Sequence, residues 1–277
     1  MANYGTYATL AQLKAELNIA DTTDDARLLR KLETASRAID EPEWGCGRHF
    51  YLLTATRYYT PEHSRRLLID DLLSVTTLKT DDDGDLDYDY TWDSGDYLLE
   101  PFNEYPRTQI RVHPDGNYTF PAGRPKSVEL AGECGYGDGE SAAPYVASGA
   151  TVTVADATTT TVSVSDQSLL EVGQTILVGS ERMYVRSLTD AVGGDTALVY
   201  RRVNGSTAAA HVAAAASIYQ YPLESREACL LIAARLFRRG EAPFGVVGSA
   251  EFGSARIMTR DPDVRGLLNP YRRITVG

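Results

Sequence analysis

The spacing of apolar residues divides the chain into four stretches. Near the start, Thr9 precedes Leu10, Leu13 and Leu17 on one helical face, and then Leu28, Leu32, Ala35 and Ile39 recur at steps of four, three and four. This predicts a helix pair over 10–17 and 24–39, capped by Thr9 and ended by Pro42, Gly45 and Gly47, with Trp44, Phe50 and Tyr51 as bulky anchors. From 51 to 137 the pattern becomes that of strands, at 51–59, 67–69, 75–79, 88–92, 97–99, 109–112 and 128–131. Turn residues such as Asp83-Gly84 and Ser94-Gly95 separate several of them, which predicts an antiparallel sheet.

Residues 145–221 differ again, being rich in Thr, Val, Ala and Gly with no Lys. Alternation at Val152 and Val154, Val162 and Val164, Ile176 and Val178, and Met183 and Val185 predicts a small all-β module. The Ala-rich stretch 208–216 has helical propensity, but it is too short to be helical without packing support, so a loop or crossover is expected there. The helical period returns at Pro222, with Ala228, Leu231, Ile232 and Leu236, basic Arg238 and Arg239 at the negative end, and Gly240 as a stop. Cys229, Leu230, Ala233, Ala234 and Phe237 make that helix apolar on nearly every side, so a neighbouring subunit is expected to cover part of it. In the tail, 241–277, one short helix signal remains: Asp261 as cap, Pro262 in the first turn, and Val264, Leu267 and Leu268 on one face. The fold class these patterns predict is α+β. Its parts are a body over 1–144, an inserted all-β module over 145–221, a long C-terminal helix over 222–240 packed with the antiparallel sheet, and an extended docking tail.

Composition narrows the class without choosing a function. The chain has 277 residues, 43% hydrophobic and 23% charged, which is ordinary for a globular protein. It holds no apolar run long enough to span a bilayer and no basic-then-apolar leader at its start, so no membrane partner is expected. Cys46, Cys134 and Cys229 are widely separated, which predicts buried thiols and no metal spacing. The net charge of −11 argues against general affinity for nucleic acid. It is unevenly spread: nine Arg against six acidic residues in 224–277 leave −14 on 1–223. An acidic body with a basic tail results.

The richest chemistry lies at 81–104, which holds ten carboxylates and no Lys or Arg. An EF-hand loop with Gly84 sixth would put Lys79 first, so that match fails. A solvated hairpin tip is the expected form of Asp81, Asp82, Asp83, Asp85, Asp87 and Asp89; around a channel, such carboxylates would repel a passing phosphate backbone. His49, His63, His113 and His211 are scattered, with no HExxH, G-x-S-x-G or Walker loop, so no catalytic residue, cofactor or metal is expected. Gly135-Tyr136-Gly137-Asp138-Gly139 leads to Pro144 and not to a helix start, which speaks against phosphate cradling. Arg256, Arg260, Arg265, Arg272 and Arg273 could meet DNA phosphate or the carboxylates of a protein, and the apolar anchors beside them favour the protein.

Taken in order, these residues carry a resemblance. The helix pair ends in Ala38-Ile39-Asp40, then come Trp44, Cys46, Gly47, Arg48, Phe50 and Tyr51, Leu68-Ile69-Asp70-Asp71-Leu72, and the Asp-Gly hairpin. After them stand Asp96-Tyr97-Leu98-Leu99 with Pro101 and Asn103, Val128-Glu129-Leu130 with Gly135-Tyr136-Gly137, Ala233-Ala234-Arg235-Leu236-Phe237, and Pro270-Tyr271-Arg272-Arg273. The chain resembles the head-to-tail connector (adaptor) proteins of long-tailed bacteriophages over about 190 residues, departing from them in 145–221. That insert, with Ile176-Leu177-Val178-Gly179-Ser180-Glu181, resembles a small β-module that recurs in phage structural proteins.

The resemblance implies a virion structural protein and not an enzyme: a subunit of a self-assembled ring, commonly twelvefold, between portal and tail at the capsid vertex, assembled in the host cytoplasm. Its implied partners are other copies of itself, the portal protein, a tail-side connector or tail terminator protein, and packaged double-stranded DNA in transient, non-specific contact. Portal binding would fall to Phe244, Arg256, Ile257, Arg260, Leu267, Leu268, Tyr271, Arg272 and Arg273. Ring contacts would fall to Leu230, Ala233, Ala234 and Phe237, and the lumen or rim to Asp81 through Asp89. Two rivals stand beside it: a carbohydrate- or cell-surface-binding phage protein using Tyr184, Tyr200 and Tyr219 of the β-module, and a hydrolase pairing two of the carboxylates at 81–104.

Overall fold

In the computed structural model, which describes residues 5–239, 246–247, 255–256 and 261–273, the chain divides into two compact units. One comprises Phe50–Pro144 with Asn204–Ser206; the other comprises Met1–His49, Tyr145–Val203 and Thr207–Gly277.

The first unit is an antiparallel sheet of β1 (Leu53–Tyr59), β2 (Arg66–Thr80), β3 (Tyr90–Thr91), β4 (Tyr97–Glu100), β5 (Arg107–Val112) and β6 (Val128–Cys134), in the order β1-β6-β2-β5-β4 with β3 beside β2. The pattern at 67–69 and 75–79 predicts two strands, but a single 15-residue strand runs through both. Register shifts between Leu68 and Leu72, and again at Leu72/Ser74 and Val75/Thr77, absorb the intervening residues as bulges, so the strand pairs β5 at one end and β6 at the other. Its core gathers Leu67, Ile69, Leu78, Ile110, Leu130 and Trp92. Trp92 stacks on Phe120 at 4.7 Å and donates its indole N–H to Thr80 Oγ1 at 3.0 Å, which anchors the root of the β2–β3 connection.

The second unit joins helices to a closed barrel. Helix α1 (Leu10–Leu17) has the Thr9 cap expected of it, with Gln12 completing the reciprocal pair, and α2 (Asp25–Asp40) buries Leu28, Leu32, Ala35 and Ile39 as its period requires. The barrel consists of β7 (Tyr145–Val154), β8 (Thr161–Val164), β9 (Thr175–Val178), β10 (Glu181–Thr189), β11 (Thr196–Tyr200) and β12 (His211–Tyr219). It closes in the order β10-β11-β8-β7-β12-β9. The alternating Val152, Val154, Val162, Val164, Ile176, Val178, Met183 and Val185 all point into its core. The stretch 208–216, expected as a loop or crossover, supplies most of β12: closing the barrel requires a strand between β7 and β9, and that pairing overrides alanine's helical preference. Small side chains such as Ala216 fit the crowded interior, and bulges at His211/Ala214 and Ala215/Ser217 adjust the register.

The barrel is not hung on a linker. Thr6 donates to the Gly173 carbonyl at 2.8 Å, the Leu10 amide to Val172 at 2.9 Å, and Arg186 pairs with Glu33 of α2. Helix α3 (Leu223–Arg238) packs on α2, a two-residue antiparallel pair joins β13 (Val246–Val247) to β14 (Ala255–Arg256), and α4 (Pro262–Leu268) packs on α3.

The expected α+β class with a long C-terminal helix is therefore corrected. The protein is mostly β, a six-stranded sheet, a closed six-stranded barrel and a two-stranded pair, and its described helices are short, at 8, 16, 16 and 7 residues. Two physical reasons account for the difference. The apolar run of α3 ends at Phe237, so that helix is no longer than α2, and bulged or alanine-rich segments that lack clean alternation are strands all the same.

Candidate functional site

A concavity of about 260 Å³ lies among α2, α3 and α4. Its floor and walls are Ala38, Ile232, Leu236, Val264 and Leu268, and Trp44, 54% exposed, stands at the rim. The turn after α2 sets Trp44 there: the Gly45 amide donates to Glu41 O at 2.8 Å and the Cys46 amide to Ile39 O at 3.0 Å. A β-carbon at Gly45 would overlap the Ile39 carbonyl, so only glycine permits this return of the chain onto the helix end.

The opposite wall is α4. Asp261 Oδ1 accepts from the Asp263 amide at 3.0 Å, Pro262 occupies the first turn, and Val264 and Leu268 are buried against α3. The segment beyond α4 is tied down as well: Tyr271 donates to Glu224 Oε2 at 2.7 Å, the Arg273 amide to Cys46 O at 3.1 Å, and Arg272 to Pro42 O at 3.4 Å. That tyrosine bond, with the helix-start amide of Glu224, holds the Glu224 carboxyl below its ordinary range.

Several sequence-predicted docking residues thus dock on their own chain. Leu268 is buried, Leu267 is half-buried, Tyr271 is engaged, and Arg272 and Arg273 are exposed beside the turn after α2. Phe244, Ile257 and Arg260 lie outside the described residues, and Arg256 is described only by its backbone in β14. Of the expected ring contacts, Leu230, Ala233 and Phe237 are buried within the chain and Ala234 is half-buried. Phe237 lies under the Arg27 guanidinium at 4.3 Å. The apolar residues that α3 turns outward are Leu223 and Leu231.

The acidic run forms an exposed loop between β2 and β3. Asp82, Asp83, Asp85, Asp87 and Asp89 are exposed, whereas Asp81 is buried and accepts from the Gly84 amide at 2.7 Å and the Leu86 amide at 3.0 Å. The Gly84 bond above all holds the Asp81 carboxyl below its ordinary range. Asp89 is pushed up by partial desolvation and by the neighbouring Asp87 and Asp83. One oxygen from each of Asp81, Asp83 and Asp85 falls within 4.8 Å of the others. Leu86, which the sequence reading passed over, stands at the loop's tip in the left-handed region at φ 69° and is 57% exposed.

A second charged cluster closes one end of the barrel. Glu181 is fully buried and accepts from Arg201 Nε at 2.7 Å and Nη2 at 2.6 Å, from the Arg202 and Ala209 amides at 3.2 Å, and lies 3.1 Å from His211 Nε2. Burial alone would raise its pKa, but these donors outweigh burial and hold it below the ordinary value. Its oxygens are saturated, so its work is to staple the segment 201–211 to the barrel. Nothing in the sequence could link Glu181 to His211 across 30 residues without the barrel's closure.

Of the three aromatics that a glycan platform would use, Tyr184 and Tyr219 are buried, leaving Tyr200 at the surface against Arg186. The three cysteines are buried and unbridged, and burial pushes the Cys46 and Cys229 thiols up to about 11, which keeps them unreactive at neutral pH. Among the described residues no helix is long and apolar enough to cross a membrane. Comparison with protein-family models, curated proteins and solved structures returned no match of any of the three kinds.

Proposed function

We propose that this chain is a structural subunit of a ring that joins the capsid portal of a long-tailed bacteriophage to its tail and lets the genome pass. The observation that supports this reading is the way the barrel enters and leaves the chain. Tyr145, the first residue of β7, is the register partner of Tyr219, the last residue of β12. Removing everything between them brings β6 and α3 into direct succession, the order that the resembled connectors have. The barrel is then an addition to a connector body of helix pair, bulged sheet and closing helix.

The work of such a subunit is mechanical and electrostatic. Copies meet by unlike surfaces, which generate a closed ring when the rotation between neighbours closes. Portal contact falls to the basic end of the chain beyond α4, where exposed Arg273 presents positive charge to carboxylates. Aspartates of the 81–89 loop left facing the passage, Asp82 and Asp83 among them, repel DNA phosphate and keep transient contact from becoming binding. The partners, the virion location and the non-enzymatic role are all part of this one proposal.

The test is imaging by negative stain together with mass determination of the full chain, alone and with a portal protein. Closed rings with a central opening, free or seated on the portal, are the expected result. A chain that remains single beside capsid vertices, or that turns over a small substrate, overturns the proposal.

A further inference from the structure

The cavity among α2, α3 and α4 is apolar within and positive at its mouth. Arg235, Arg239, Arg265 and Arg272 line it against two acids, Glu43 and Asp261. Arg235 is already turned to Asp261 at 3.4 Å, so the outward charge comes from the other three. In a chain of net charge −11 this is a positive island around an apolar hole.

The loop at 81–89 has the inverse construction. Its exposed apolar side chain is Leu86, within a run of six aspartates, and Arg124 is the cation packed against the loop, at Gly84. A non-glycine residue at φ 69° is strained, and the Asp81 carboxylate that accepts from its amide holds it there. The knob is thus presented ready-made, and little ordering is left for association to oppose.

We propose that Leu86 of one copy inserts into the α2–α3–α4 cavity of the next, with Asp85 and Asp87 meeting Arg239, Arg265 and Arg272 around it. The occupant is a second copy of this chain, chosen by complementarity of charge and shape: apolar knob in a negative collar, apolar hole in a positive one. Because knob and hole are different surfaces, the contact is unlike-to-unlike, the kind from which a ring is built when the rotation between neighbours closes. The inference rests on the ring reading above and specifies the surface that builds the ring. Exposed charges at its edge make the association weaken with added salt.

The experiment is sedimentation of the full chain over rising concentration, wild type against two variants whose changes are at exposed positions: Leu86→Asp, and Arg239→Glu with Arg265→Glu. Each variant alone should associate about tenfold more weakly or worse, with its thermal unfolding unchanged. Mixed in equal amounts, the two should recover pairs and stop there, because one intact knob meets one intact hole and both remaining surfaces are blocked. Asp85→Lys with Asp87→Lys supplies a second, purely electrostatic version of the knob variant. Association untouched by Leu86→Asp overturns the proposed contact and leaves the ring standing. Loss with the arginine variant alone assigns the cavity to another occupant and equally overturns it. A wild type that stays single at every concentration, and beside portal, removes both the contact and the ring.

Discussion

Glu181 and the 81–89 loop are both concentrations of carboxylate, and they do opposite things. At Glu181 one carboxylate is withdrawn from water and met by two arginine nitrogens, two amides and an imidazole. In the loop five of six aspartates face solvent, and the sixth, Asp81, is spent on shaping the backbone. A buried charge is held by its donors and its loss falls on the fold, whereas an exposed run leaves the fold alone and sets what can approach. Counting acidic residues along a sequence finds the second kind and misses the first.

The sharpest way to break that contrast is Glu181→Ala. It strands the Arg201 guanidinium without its anion and should cost about 3–5 kcal/mol in equilibrium denaturation of the full chain; a loss under about 1 kcal/mol would mean that water already relieves the cluster. Its pH signature follows from a lowered folded pKa: the contribution is complete above the ordinary carboxylate value of 4.5 and disappears as pH falls through the lower folded value. Glu181→Gln should therefore flatten the acid limb of the stability curve.

Asp40 provides an intermediate case with the opposite sign. Burial raises its carboxyl to about 7, although Arg37 at 2.8 Å and the Tyr7 hydroxyl both favour the anion. Stability linked to it is complete below 3.8 and is lost as pH rises through about 7, so Asp40→Asn should reduce the fall in melting temperature across that window. An unchanged slope would place the titration elsewhere. The smallest effects belong to the loop. Asp81→Asn should speed amide exchange at Gly84 and Leu86 with no shift in global melting, while Asp85→Asn and Asp87→Asn should leave both readouts alone. Equal exchange in all three variants would show that Asp81 does not hold the tip.

These elements differ in how legible they were. The barrel core announced itself because its valines alternate and one face of each strand is buried. Helices α1 and α2 were equally plain, down to the Thr9 cap. Strand β12 was hidden because alanine carries no pattern that separates strand from helix, and β2 read as two pieces because bulges break a period of two. The α2–α3–α4 cavity was out of reach for a different reason: Trp44, Leu236 and Leu268 come from segments far apart in the chain. The tail's leucines and arginines suggested docking on a partner, but nothing in the sequence showed that Leu268 and Tyr271 settle on α3 of the same chain. The weight given to helix failed on length, since α3 stops where its apolar run stops.

The pairing of Tyr145 with Tyr219 has an engineering consequence. A closed unit whose first and last rungs face each other can be exchanged through a two-stranded stem, and the host framework stays in step where the replacement also meets Thr6, Leu10 and Glu33, which the barrel engages. A reporter or a binding domain set into that socket must also begin and finish on neighbouring strands.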